Sequence, residues 1–309
     1  MKLMKLNLAT AVAIVLSLTL VSCDDDDGVA PPPPPSDSTF EIIQQSENHN
    51  TLENLLQDTG LDQALNSDDI RTVFAPTDAA FNNVDLSGLT DAEKTNILLN
   101  HVLAGEFFAS APGISNTNTI STGYVKTLAT KEITGKEYNL NLYISSVGGE
   151  VTLNGNSTVT TADENANNGV VHIVDEVIPM PKISTFATND PALENLLNNL
   201  NTDQLEVLDN ENVTVFAPRD DLNDPDDEDA DPEDENLIFD NLVDELGLSS
   251  LNDISEETLT RSLNTHIIEG ESFVFRELTA EDSIPTVQKQ TRGDILLLDE
   301  TGKKITDPN

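Results

Sequence analysis

Apolar residues first fall into a helical rhythm. Leu52, Leu55 and Leu56 stand at i, i+3, i+4, one face of a helix. Asn50 is placed to cap that helix, and Glu53 to complete a capping box. Thr90 and Glu93 make a second box, opening a helix that carries Ile97 and Leu98 and runs to His101. The rhythm then changes. Arg71–Ala75 is β-branched and aromatic and stops at Pro76, which predicts a strand. Leu140–Ile144 and Val151–Leu153 read as a pair turning at Gly148-Gly149. Gly169–Ile178 is nearly continuous in apolar residues and reads as a core strand. Helices early and strands late predict an α+β fold, not a doubly wound parallel sheet.

The same pattern returns further along. Leu52-Glu53-Asn54-Leu55-Leu56 recurs as Leu193-Glu194-Asn195-Leu196-Leu197, an offset of 141 residues. Thr72-Val73-Phe74-Ala75-Pro76 recurs at Thr214–Pro218, offset 142, and the His101 segment is echoed at His266, offset 165. In the second copy Asp190 is the cap and Pro191 the first helical residue, where proline is tolerated. A period this long predicts two tandem domains, 38–181 and 183–309. The jump from 142 to 165 places an insert at about 220–244. Pro181 lies 80 residues beyond His101, whereas Asn309 lies 43 beyond His266, so the closing strands of the second copy are expected to be missing. A truncated reading, a degenerate domain and completion by another chain's strand stay open.

Residues 1–22 read as a secretory signal, with Lys2 and Lys5 before a mostly apolar run from Leu6 to Leu20. The run is too short and interrupted for a comfortable membrane span. It ends in Leu20-Val21-Ser22-Cys23, which resembles the lipobox of bacterial lipoproteins. That resemblance implies lipidation of Cys23, the sole cysteine of the chain. Two or more acyl chains give stable anchoring. The linker 23–37 carries Asp24–Asp27 and five consecutive prolines, Pro31–Pro35, a stiff polyproline spacer at about 3.1 Å per residue. An acidic run after the cysteine resembles a surface-export signal in some lineages and an inner-membrane retention signal in others.

Charge narrows the partners. There are 15 Lys+Arg against 56 Asp+Glu, a formal net charge of −41. Phosphate neutralisation needs cations, so nucleic acid is excluded as a partner. Unassisted docking on anionic lipid is equally disfavoured, and membrane contact is expected only through the lipid anchor. Trp is absent and aromatics are 4%, which leaves a stacked sugar platform poorly supplied.

Three blocks carry a family resemblance. Thr72–Phe81 resembles the first signature block of fasciclin domains, Leu98–Gly105 their central segment, and Asn168–Pro179 their closing block. The resemblance implies wedges of β-sheet with helices packed at one side, two in tandem. It also implies a role in adhesion, matrix or partner binding rather than catalysis. In the family a tyrosine usually precedes the central histidine; Asn100 and Thr265 stand there here, so integrin-type contacts are not carried over.

Candidate chemistry is sparse. His101 and His266 occupy equivalent positions and, with Asn100, are the candidate partner contacts; a helix-end cap is the equal alternative for the two histidines. His172 alternates with Val170 and Val174 and reads as a hydrogen-bonded core residue. No zinc spacing, nucleophile elbow or phosphate loop stands out, so no catalytic residue, cofactor or confident metal site is expected. Asp227, Asp229 and Asp231 are spaced like the first ligands of a calcium loop, but Pro232 and Ile238 stand where glycine and glutamate belong. The acidic insert reads first as a solvated, self-repelling loop, and weak, collective calcium binding is compatible with that reading. The chain thus reads as a lipid-anchored cell-envelope adhesion protein, at the outer membrane or cell surface, binding extracellular protein or polysaccharide. The alternative is an envelope ligand- or glycan-capture accessory with a specific pocket.

Overall fold

The structure, a computed structural model, describes residues 35–109, 118–209, 212–218, 243, 247–270 and 272–273, with short strands at 283–285, 295–298 and 305–306. The expected signal segment and Cys23, the prolines as far as Pro34, and Asp227, Asp229 and Asp231 of the expected insert lie outside these residues.

Helix α1 (Thr39–Gln45) opens on a capping box of Ser38 and Glu41. Helices α2 (Asn50–Thr59) and α3 (Leu61–Leu65) follow. Asn50 does not cap α2 as its sequence position suggested; it is the first helical residue. The capping acceptor is Asp78, which arrives from the far end of strand β1 (Arg71–Pro76). Its carboxylate accepts from the Thr51 N–H at 2.7 Å, the Asn50 N–H at 3.3 Å and Asn50 Nδ2 at 3.1 Å. These bonds, the Thr51 N–H first, hold its pKa down at about 2. The expected Thr90/Glu93 box is present and starts α4 (Asp91–Leu99).

Strands β2 (Val102–Ala104), β5 (Gly123–Ile133), β6 (Lys136–Val147), β7 (Glu150–Leu153), β8 (Ser157–Ala166) and β9 (Gly169–Val174) join β1 in a closed barrel of order β1-β2-β5-β6-β7-β8-β9. Two short strands, β3 (Phe107–Phe108) and β4 (Asn118–Thr119), pair separately. The expected hairpin is β6–β7, with Ile144 opposite Leu153. Closure is made by β9 lying parallel to β1, from Arg71 opposite Gly169 to Pro76 opposite Val174.

Both faces of β1 are covered, which is why its sequence is continuously apolar. Val73 and Ala75 pack outward with Phe40, Ile43, Leu52 and Leu56 of the helices. Phe74 points the other way, into a barrel core with Leu103, Leu142, Ile144 and Leu153. Alternation at period two therefore serves two cores from one strand. Asn168, just before β9, ties the layers together. Its side chain accepts from the Thr39 N–H at 2.8 Å and donates to the carbonyls of Leu65 at 2.8 Å and Ser67 at 2.7 Å.

Helix α5 (Ile183–Asn189) docks on this barrel. The Phe186 ring meets Tyr124 edge-on at 5.5 Å, and Tyr124 Oη donates to Asp190 at 2.7 Å. Asn189 Nδ2 donates to the Asn154 carbonyl at 3.1 Å beside Gly155. A Cβ on Gly155 would stand 1.6 Å from Asn189 Oδ1, at a backbone φ of +66°. Gly155→Ala should therefore push Asn189 off its seat. The expected loss is about 1–2 kcal/mol from αL strain and lost hydrogen bonds. Limited proteolysis should show faster cleavage around residues 183–190, and an unchanged cleavage pattern would contradict this docking.

Beyond α5 the first half of the architecture is rebuilt from α6 (Glu194–Asn199), α7 (Thr202–Leu208), β10 (Val213–Val215), α8 (Glu256–Asn264) and β11 (Ile267–Glu269). Asp190 caps the turn at Pro191 as its position suggested, accepting from the Ala192 N–H at 3.0 Å. Strand β10 pairs antiparallel with β11, as β1 does with β2. Matching bonds recur: Phe74 N–H to the His101 carbonyl and Phe216 N–H to the His266 carbonyl, both 2.9 Å. Thr72 Oγ1 accepts from Phe107 N–H at 2.9 Å, and Thr214 Oγ1 from Phe273 N–H at 2.8 Å. Among the described residues no strand takes the place of β9 beside β10. Three short strands, β12 (Ser283–Pro285), β13 (Ile295–Leu298) and β14 (Ile305–Thr306), form a separate sheet.

Candidate functional site

Asn100 and His101 sit where α4 gives way to β2, and the chain turns inward there. Asn100 is 0% exposed and His101 3% exposed. Burial rules out a partner contact for both, and His101 takes the alternative role, a helix-end cap. His101 Nδ1 donates to the Ile97 carbonyl at 2.8 Å, one helical turn back. Its Nε2 accepts from the Ile178 N–H at 2.8 Å. A carbonyl can only accept and a backbone amide can only donate, so the neutral Nδ1–H tautomer is dictated by its partners. Burial lowers the pKa of His101 to about 4, with the Ile97 carbonyl opposing. Asn100 Nδ2 donates to the Pro179 carbonyl at 3.1 Å, and its Oδ1 accepts from Thr127 Oγ1 at 3.4 Å. The pair is a clasp between the end of α4 and the segment that follows β9.

His266 repeats the first of these bonds, Nδ1 to the Ser262 carbonyl at 3.0 Å, but is only half-buried. It keeps an exposed part that Asn100 and His101 lack. His172 is fully buried, stacked on Phe74 with centroids 5.5 Å apart. Its Nε2 donates to the Phe107 carbonyl at 2.8 Å and its Nδ1 accepts from the Asp163 N–H at 3.1 Å. Burial lowers its pKa as well, against the Phe107 carbonyl and the Asp163 carboxylate 3.8 Å away. An imidazole with both nitrogens bound to backbone and no solvent contact is a core residue, as its place in the strand suggested.

The fourth histidine, His49, lies outside the recurring and signature blocks of the sequence. His49 lies just before α2, 3% exposed, with Nδ1 2.7 Å from Ser46 Oγ and Nε2 without a hydrogen-bond partner. Burial lowers its pKa, with the Ala75 carbonyl and the Asp78 carboxylate pulling the other way. It lines a cleft of about 490 Å³ between the N-terminal helix and the β8–β9 edge of the barrel. Ile43, Ala75 and Val171 form its buried side, and Gln45, Glu164 and Asn165 its exposed side. The signal that finds it is a histidine at a helix start that the capping pattern leaves without work.

Among the described residues no group of three or more His, Cys, Asp or Glu is placed to hold a metal ion. No helix among them is long and apolar enough to cross a membrane.

Residues 47–181 match the family model of the Fasciclin domain. Protein sll1483 of Synechocystis sp. is 29% identical over 148 residues, 46% of this chain and 72% of that protein. A solved FAS1 domain pair from the insect cell adhesion molecule fasciclin I is similar at a TM-score of 0.49, with 18% identity, over 83% of this chain and 88% of that chain. The fold is α+β, as its element order suggested. Fasciclin domains are adhesion- and interaction-type domains, and the family is non-enzymatic.

Proposed function

We propose that this chain is a lipid-anchored adhesion protein of the cell envelope, displaying tandem fasciclin-like domains, 38–181 and 183–309, that hold extracellular protein or polysaccharide. The fasciclin match over residues 47–181 carries this reading. It is supported by the fate of the interior polar groups. Asn100, His101, Asn168 and His172 are bound to backbone atoms of the fold, which suits a scaffold rather than a reaction centre. The repeated β1–β2 and β10–β11 pairings support a second module. Two modules on one anchor convert weak contacts into multivalent ones.

The anchor is Cys23, and the location is the outer membrane or cell surface. Cys23→Ser should move the protein from the detergent-extracted membrane fraction to the soluble fraction almost completely, since acyl chains alone supply stable membrane affinity. Retention of the variant in the membrane would remove the anchor from this account. Protease shaving of intact cells, read by mass spectrometry, locates the face. A strain lacking the protein should attach more weakly to its matrix; unchanged attachment would refute the adhesive role. The insert with Asp227, Asp229 and Asp231 takes up calcium weakly, which calorimetry at millimolar calcium tests. The chain uses no cofactor and performs no catalysis.

The second reading, a ligand- or glycan-capture accessory, is favoured by one observation, the cleft at His49.

A further inference from the structure

The cleft at His49 has the size and composition of a binding site, and its charge selects the ligand. At about 490 Å³ it falls within the range of roughly 300–1,000 Å³ usual for ligand pockets. Its inner surface is aliphatic, from Ile43, Ala75, Val171 and the half-buried Ile42 and Ile173. Two carboxylates, Asp37 and Glu164, stand at the outer part. Asp37 is held in place, accepting from Gln45 Nε2 at 3.2 Å and Ser36 Oγ at 3.0 Å. An ionised carboxylate retains acceptor capacity beyond two such bonds. Among the described residues that line the cleft there is no lysine or arginine. His49 adds an imidazole whose Nε2 makes no hydrogen bond.

We infer that this cleft receives a lysine side chain of a partner polypeptide. An aliphatic stem lies along isoleucine and valine, and an ammonium group lies between acceptors. Lysine fits better than arginine because the lining offers no aromatic face to stack on, and a compact charge needs no planar fork. An anionic ligand meets two carboxylates and a chain of net charge −41. A polypeptide fits better than a free amine because one ammonium in an open, wet cleft is weakly held and needs flanking contacts.

This inference deepens the interaction reading by naming the partner's chemistry, and its test needs no cells. The full chain is titrated by NMR with the peptide acetyl-Gly-Gly-Lys-Gly-Gly-amide, with the same peptide acetylated on the lysine, and with butylamine. The lysine peptide should shift the resonances of His49 and Ile173, the acetylated one should not, and butylamine should bind more weakly than the peptide. The double variant Asp37→Asn/Glu164→Gln should weaken peptide binding at least tenfold. Asp58→Asn/Glu206→Gln, which removes two charges that do not line the cleft, should leave it unchanged. Asn165→Lys, placing a cation in the cleft, should also abolish it while the thermal midpoint stays put. Equal weakening by both double variants, shifts spread over the acidic surface, or equal binding of the acetylated peptide would each overturn the inference. Failure of attachment by whole cells alone would instead fall on the adhesive role.

Discussion

Gly169→Ala should destabilise the fold by about 4 kcal/mol or more, the exceptional end of single substitutions. Gly169 opens β9 at φ +140°, opposite Arg71 of β1. A Cβ there would stand 1.8 Å from the Arg71 carbonyl oxygen, 2.8 Å from its carbon and 2.9 Å from the Arg71 nitrogen. All three are backbone atoms, so no side chain can swing aside. The strand must move away, and the parallel seam that closes the barrel opens from its first pair. Arg71 N–H to the Asn168 carbonyl, 3.1 Å, is lost with it. The three side-chain bonds of Asn168 next door follow. Gly88→Ala is the matched control: a Cβ there meets nothing within 4 Å. It should stay within about 0.5 kcal/mol of the parent. Urea unfolding with an unchanged slope reads both. A Gly169→Ala midpoint equal to the parent's would show that the seam does not carry the barrel.

His101→Ala should cost about 3 kcal/mol. It leaves the Ile178 N–H buried without an acceptor, which costs about 1–3 kcal/mol, and adds a cavity where the ring stood. The Ile97 carbonyl is less affected because it also accepts from the Asn100 N–H. His101→Gln retains an acceptor and a donor and should lose less. The His101→Ala loss should appear as faster exchange of the Ile178 amide before global unfolding, since the segment after β9 is what the clasp holds. If the two variants are equally stable and the Ile178 amide exchanges as in the parent, the clasp is not a stabilising element.

Local features of this fold were legible, and distant ones were not. The Thr90/Glu93 box, the Asp190 cap with Pro191, and the β6–β7 hairpin depend on residues within a few positions of each other, and each formed where the pattern placed it. Where the Thr72–Pro76 and His101 segments recur in sequence, β10–β11 repeats the register of β1–β2. The cap of α2 was misplaced because its acceptor, Asp78, lies 27 residues from Thr51. The helix-end cap by His101 was legible, but the burial of Asn100 and His101 was not, for the same reason. A polar pair at a helix end normally faces water, and only the return of Ile178, 77 residues later, covers it. The barrel closure and the cleft at His49 likewise depend on β9 coming back to β1, which no local pattern encodes.

The central claim is that the polar residues at the helix end hold the fold together, while a partner is met by other surfaces. Titration of the His101 imidazole by NMR tests it directly. The folded pKa of about 4 lies below the unfolded value of 6.5, so the unfolded chain binds more protons between them. Stability should therefore be full above pH 6.5, fall as pH drops from about 6.5 to about 4, and gain no further loss from this group below that. The displacement corresponds to on the order of 3 kcal/mol. His49 and His172 act in the same direction. Asp78 adds a later loss as pH falls below the ordinary aspartate range towards 2. A His101 midpoint near 4, reached together with this loss of stability, is the predicted result. A midpoint near 6.5 in the folded chain would place the imidazole in water and restore His101 as a surface contact, contradicting the clasp.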